Sequence, residues 1–262
     1  MVEPIECEPE RLVKSEDRVR DLAEVFTPSR TVQDMLNLIP AEMWQIHPSP
    51  TFFEPACGDG NFLEPILDRK LQVVAAHHAA GTLPAGTTAE AAQFHALEAL
   101  ASIYAVDISV DNIVGGTPGH EIGARTRLLT MFLEWNHRML GKKLNARSNL
   151  LRAAHWIIER NVIVGNMLST SAAAMPTDRD EMSLLDYEWH PATLCVTVKE
   201  TSMGSVLAGC QAETTGVMSL FGTPEPTLLW SGAAVEIHRA PRLVAAPVVG
   251  TVRNGKERGK QR

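Results

Sequence analysis

No two of the four cysteines, Cys7, Cys57, Cys195 and Cys210, form a C-x-x-C pair, and they stand far apart along the 262 residues. That spacing argues against a zinc site or a disulfide framework and for reduced thiols. Long hydrophobic runs are missing too: no apolar stretch approaches the roughly 20 residues needed to cross a bilayer. The opening MVEPIECEPER is acidic and polar, unlike a signal peptide. The expectation is a cytoplasmic protein with no membrane span and no metal. Nor is there an excess of positive charge. With 24 Lys and Arg against 31 Asp and Glu, the net charge of −7 excludes a binder that coats nucleic acid with its whole surface.

What is present suits a globular chain. A hydrophobic fraction of 45% and a charged fraction of 21% allow a sizeable core. The length suits one large domain with a small appendage. Charge is uneven only at the end, where RNGKERGKQR holds five basic residues and one acidic residue. With Gly255 and Gly259 inside it, this segment reads as a flexible basic tail, solubilising or DNA-contacting.

Periodicity and turn residues divide the chain. Residues 1–22 are charged and read as helical or loosely ordered. Val32, Met35, Leu36 and Ile39 have helical spacing, and Pro40 ends that run. An extended segment, Thr51–Glu54, leads into the Gly-rich ACGDGN, and a helix follows from Asn61. Residues 80–90 read as a loop before an Ala-rich helix near Ala89–Leu100. SIYAVDI (Ser102–Ile108) and NVIVGNML (Asn161–Leu168) read as buried parallel strands. Helical spacing returns at Arg125–Leu140 and Asn145–Arg160. ATLCVTV (Ala192–Val198) reads as a fourth strand, and short β-like runs fill 217–246. Strand–helix alternation predicts an α/β fold, a parallel sheet with helices on both faces, incomplete, with a small β-rich C-terminal part. The predicted divisions are 1–200, 201–250 and the tail 251–262.

A Gly-rich turn between strand and helix lets the backbone approach a ligand and offers free N–H groups. Order adds to this: Phe26-Thr27-Pro28 comes first, then Glu54-Pro55-Ala56-Cys57-Gly58-Asp59-Gly60-Asn61-Phe62, then Asp107-Ile108, then Gly165-Asn166. Glu54, Asp107 and Asn166 each close a predicted strand, and carboxyl ends of parallel strands share one crevice where ligands bind. Taken singly, the same residues have plainer readings as a helix-capping Thr27, a surface Glu54, a strand-end Asp107 and a turn Asn166.

EVFTP, FFEPACGDGNFL, IYAVDIS and VIVGNML resemble motifs X, I, II and III of the adenine-N6 DNA methyltransferases of restriction–modification systems. The resemblance spans roughly residues 17–168 and is to the branch with cofactor motifs first, as in type I modification subunits and related phage enzymes. It implies a Rossmann-like fold that takes S-adenosyl-L-methionine. Phe26, Thr27 and Pro28 would border the methionine end of the cofactor. Glu54 and the turn Ala56, Cys57, Gly58, Asp59 and Gly60 would hold its amino-acid portion and sulfonium, with Pro55 and Phe62 completing the set. Asp107 would accept hydrogen bonds from both ribose hydroxyls. Ile108 would pack on the adenine ring, and Asn166 would bond the adenine N6.

Two departures from the family stand out. Asp107 lies well beyond the roughly 20 residues that separate such positions in a compact unit, so residues 70–100 read as an insertion. Motif IV, Asp/Asn/Ser-Pro-Pro-aromatic, has no counterpart in the chain. That motif holds the amino hydrogens and stacks the flipped base. DYEWHP offers Asp186, Tyr187 and Trp189 as substitutes, though it precedes the predicted fourth strand and also reads as a loop with aromatic anchors. His77-His78 and His120-Glu121 lack metal-ligand spacing. Three functions follow from this reading: a DNA adenine methyltransferase, a catalytically silent cofactor-binding subunit, or a methyltransferase acting on RNA or protein. The partner this resemblance implies is DNA, with specificity from the tail or from a second chain such as a restriction or specificity subunit.

Overall fold

Pro28 cannot donate a backbone hydrogen bond but accepts one, and its carbonyl takes the first helical bond from the Val32 amide at 3.0 Å. This opens α1 (Ser29–Asn37), which buries Val32 and Leu36; Pro40 then leads into a short 3-10 turn, Ala41–Trp44. The computed structural model describes residues 19, 25–116, 121–141, 143–145, 147–168, 182–206, 228–231 and 234–242. The expectations for residues 1–22, for most of 217–246 and for the basic tail lie outside these.

β1 (Phe52–Glu54) runs through the Gly-rich turn into α2 (Leu63–Ala80). Gly81, at φ 68, ends α2 in the left-handed conformation that a Cβ disfavours. A second helix, α3 (Ala89–Ala101), follows, with the Thr88 hydroxyl capping the Ala91 amide at 3.1 Å. α3 is buried nearly all round, because its small Ala side chains let neighbouring helices approach on several sides. The segment 70–100, read as an insertion, holds the end of α2 and the core helix α3 of the first crossover. β2 (Ile103–Asp107), the single turn α4 (Val110–Ile113), α5 (Ala124–Leu140), α6 (Asn149–Asn161) and β3 (Val162–Val164) complete this half.

The three strands form one parallel sheet in the order β1-β2-β3, with Phe53 opposite Tyr104 and Val106 opposite Ile163. Parallel neighbours need long crossovers, which the helices supply. Phe52, Ile103 and Ala105 face the main core with Leu67, Leu100, Phe132 and Ile157. Burying each such large side chain contributes roughly 1.5–3 kcal/mol. The opposite face carries Tyr104 and Val106. Val106 packs with Met182, Met203 and Leu184, and the Tyr104 hydroxyl donates to the Leu185 carbonyl. Helices were expected on both faces; among the described residues the long helices lie on one. The result is an α/β architecture compatible with a Rossmann-like fold. No helix among the described residues is long and apolar enough to cross a membrane.

A second, antiparallel sheet begins earlier than expected. β4 (Ser183–His190) and β5 (Cys195–Ser202) form a hairpin, and β6 (Leu228–Ser231) and β7 (Val235–Glu236) both pair with β5. The segment 192–198 is thus not a fourth parallel strand. DYEW is not a loop either but the middle of β4, where Leu185 and Tyr187 turn inward and Asp186 and Glu188 turn out. That alternation is the signature of a half-buried antiparallel strand. The junction is specific: Tyr187 donates to Asn161 Oδ1 at 3.0 Å, and Asn161 Nδ2 donates to the Ala101 carbonyl at 2.8 Å.

Candidate functional site

At the carboxyl ends of β1, β2 and β3 lies a cleft of about 460 Å³. This is within the size range of small-molecule sites. Glu54 closes β1 and Asp107 closes β2, while Asn166 follows β3 by two residues; all three line the cleft. The turn between β1 and α2 forms its floor, held over the end of β2 by a 3.0 Å bond from the Cys57 amide to the Val106 carbonyl. Gly58 and Gly60 have φ of +54 and +107, a region costly for residues with a Cβ. Space is also tight, since a Cβ on Gly58 would lie 3.3 Å from the Phe26 ring.

Of the residues expected to bind a cofactor, the structure brings Phe26, Thr27, Glu54, Pro55, Ala56, Cys57, Gly58, Phe62, Asp107, Ile108 and Asn166 to this cleft. Pro28, Asp59 and Gly60 are not among its lining residues. Asp59 turns toward α5, where Arg127 pairs with its carboxylate at 3.1 Å and also donates to its carbonyl at 3.2 Å. Arg127 also reaches Asn61 Oδ1 and Glu64, bracing the turn from outside. Burial raises the Glu64 carboxyl above its usual range, with Arg127 opposing that shift.

Asp107 is the most heavily bonded residue of the cleft. Its Oδ1 accepts from the Ser109 amide at 2.8 Å and from Asn112 Nδ2 at 3.1 Å; its Oδ2 accepts from the Gly58 amide at 2.9 Å. Glu54 accepts from the Ala56 amide at 3.2 Å. Asn166 Oδ1 accepts from the Leu168 amide at 2.9 Å. Ile108 sits half open at the rim. Burial, and secondarily Asp107 and Glu54, push the Cys57 thiol far above its ordinary value. That shift disfavours the thiolate, the form a cysteine nucleophile needs.

Sequence reasoning gave no role to Val25, Asn61, Ser109, Asn112, Gly165, Met167 and Leu168, which also line the cleft. Ser109 had a signal, because an Asp often accepts from the amide two residues on. Asn112 had none, since its place depends on the single turn of α4.

Asp186, Tyr187 and Trp189 are not in this cleft. They line a different cavity, of about 440 Å³, beside Thr51 and Ser102, the residues just before β1 and β2. That is the amino end of the same strands. Tyr187 is held by Asn161, and Trp189 meets Phe94 edge-on at 5.2 Å. These rings brace the hairpin against α3 and α6. Nearby, a buried polar network joins Glu98 to His47 at 2.8 Å and to His95 at 2.9 Å. Lys70 donates to Ser49 Oγ at 2.8 Å and to the Pro50 carbonyl at 2.7 Å. Among the described residues, no group of three or more His, Cys, Asp or Glu side chains is arranged to hold a metal ion. No family model matches the chain, and neither does any curated protein or solved structure.

Proposed function

We propose that the chain is an S-adenosyl-L-methionine-binding, DNA adenine-N6 methyltransferase-like cytoplasmic protein of a restriction–modification or phage system. One observation carries this reading: four blocks far apart in sequence, EVFTP, FFEPACGDGNFL, IYAVDIS and VIVGNML, line a single cleft at the strand ends. The chemistry of the cleft agrees. Glu54 and Asp107 supply negative charge suited to a ligand with sulfonium and ammonium groups. Phe26, Phe62 and Ile108 supply apolar surface for a ring. The test is titration calorimetry with S-adenosylhomocysteine. A 1:1 isotherm with a rise in thermal midpoint is expected; neither heat nor stabilisation at millimolar ligand would refute the assignment.

The second reading, a catalytically silent subunit that assembles with a partner, is favoured by a specific feature. β1 is the end strand of its sheet, and among the described residues no strand pairs with its outer edge. Beside that edge an apolar hollow of about 260 Å³ is lined by Met35, Ile39, Phe53 and Phe62. An open edge is where a further strand adds. Methyl transfer to adenine-containing DNA separates the two readings. Turnover by the isolated chain supports the enzyme, and cofactor binding without turnover supports the subunit.

A further inference from the structure

The Asp107 carboxylate is already largely committed within the protein. A carboxylate offers about four acceptor positions, two on each oxygen. Ser109 and Asn112 fill both on Oδ1, and Gly58 fills one on Oδ2. One position on Oδ2 is left for a ligand. The donors on Oδ1 are fixed: one is the backbone amide that follows Ile108, the other the amide of Asn112, a side chain only 3% exposed. For a ligand to claim Oδ1, it must displace the buried Asn112 from a charge-assisted bond, which is unfavourable.

Building on the cofactor reading above, we propose that Asn112 is a positioning residue. It locks the Asp107 carboxylate so that the cleft reads one hydroxyl of the ligand's ribose through Oδ2 and leaves the other unread. This differs from the two-hydroxyl grip that the family resemblance implies. It makes the cleft selective between ligands lacking the 2′-hydroxyl and ligands lacking the 3′-hydroxyl. It also gives Asn112 a role distinct from filling space, because its amide decides how many hydroxyls are recognised.

The experiment measures affinity for S-adenosylhomocysteine and for its 2′-deoxy and 3′-deoxy analogues. It uses the full chain in wild-type form and as Asn112→Ala. In the wild type, removing one hydroxyl should weaken binding about tenfold or more, and removing the other less than about threefold. In Asn112→Ala the freed Oδ1 can accept the second hydroxyl, so the ratio between the two analogues should narrow. A simple packing defect would weaken all three ligands together and leave that ratio unchanged. Equal losses for the two analogues in the wild type would overturn the proposal. So would an unchanged ratio in Asn112→Ala. If that variant fails to fold, the wild-type ratio and the milder Asn112→Ser decide by the same criteria. No binding of the parent compound by the wild type would overturn the cofactor reading itself, and this proposal with it; that result is distinct from equal losses.

Discussion

Lys70 is 3% exposed, and its ammonium sits among Ser49 Oγ, the Pro50 carbonyl and the Phe52 ring, with the Glu98 carboxylate close enough to act on it. Burial lowers its pKa from 10.5 to about 7, with Glu98 opposing the shift. Because the folded value lies below the unfolded one, the unfolded chain binds more protons between them, and stability rises with pH across that window. The upper part is crossed by the Cys57 thiol, which burial pushes the other way from its ordinary 9.0, so the clean interval is pH 7 to 9. Two pH units at 1.36 kcal/mol each, less the half-titration already reached at pH 7, give about 2 kcal/mol. Lys70→Met keeps the bulk and removes the titration. It also leaves the Pro50 carbonyl without this donor, a cost of about 1–3 kcal/mol that does not vary with pH. Urea unfolding of both proteins at pH 7, 8 and 9 is the assay. The wild type should gain about 2 kcal/mol on the variant over that range. A constant difference would mean that the lysine keeps an ordinary pKa and that the reasoning from burial fails.

Three other substitutions probe the two ends of the sheet. Asp107→Ala should weaken S-adenosylhomocysteine binding by about 1.5–3 kcal/mol, roughly ten- to hundredfold, in a protein that stays folded by circular dichroism; unchanged affinity would leave Asp107 a strand-end residue only. Gly58→Ala should cost about 1–2 kcal/mol of stability from its φ of +54 alone. It should also cost affinity as Phe26 gives way, both read by thermal melts with and without ligand. Tyr187→Phe should lower stability by about 0.5–1.5 kcal/mol through the lost bond to Asn161. Ligand affinity should stay unchanged, because Tyr187 lies at the amino ends of the strands; a fall in affinity would contradict that placement.

Features that depend on neighbours in sequence were legible before the structure. The two glycines of ACGDGN, the apolar runs of β2 and β3, and the helical spacing of α5 and α6 are local patterns, and each folds where its pattern stands. The carboxyl-end logic of parallel strands then placed Glu54, Asp107 and Asn166 together. Long-range pairing was not legible. The stretch around DYEW reads in sequence as a loop and 192–198 as a fourth parallel strand, because alternation alone does not say which sheet receives a strand. The close turn at 191–194 instead pairs 183–190 with 195–202. The helix α3 was expected near Ala89–Leu100, but its burial on nearly all sides was not legible, because an Ala-rich helix carries almost no amphipathic signal. The aromatics of DYEW drew a catalytic reading on composition, whereas period-two burial sends Tyr187 to Asn161 and away from the cleft.

If the cleft holds the cofactor proposed above, binding and turnover place different demands on this arrangement. In an open parallel sheet the ligand crevice lies where the strand order reverses. Here the order runs outward from β1 on one side only, so the described strands supply the ends over which one ligand can lie but no strand on the far side of β1. Methyl transfer to an amine needs more than a held donor: acceptor oxygens for the amino hydrogens and a ring against the displaced base. Asp186, Tyr187 and Trp189 have suitable groups at the wrong end of the strands. The acceptors already in the cleft, Glu54, Asp107 and Asn166, are each engaged with backbone amides of the protein. Under the cofactor reading, a strand added at the β1 edge, with which no described strand pairs, would supply the second wall of an active site. A variant that blocks that edge, Phe53→Pro, should leave cofactor affinity near wild type, because Phe53 does not line the cleft, while abolishing any turnover gained on mixing with a partner. Loss of cofactor binding in folded Phe53→Pro would show instead that the edge and the cleft are one unit.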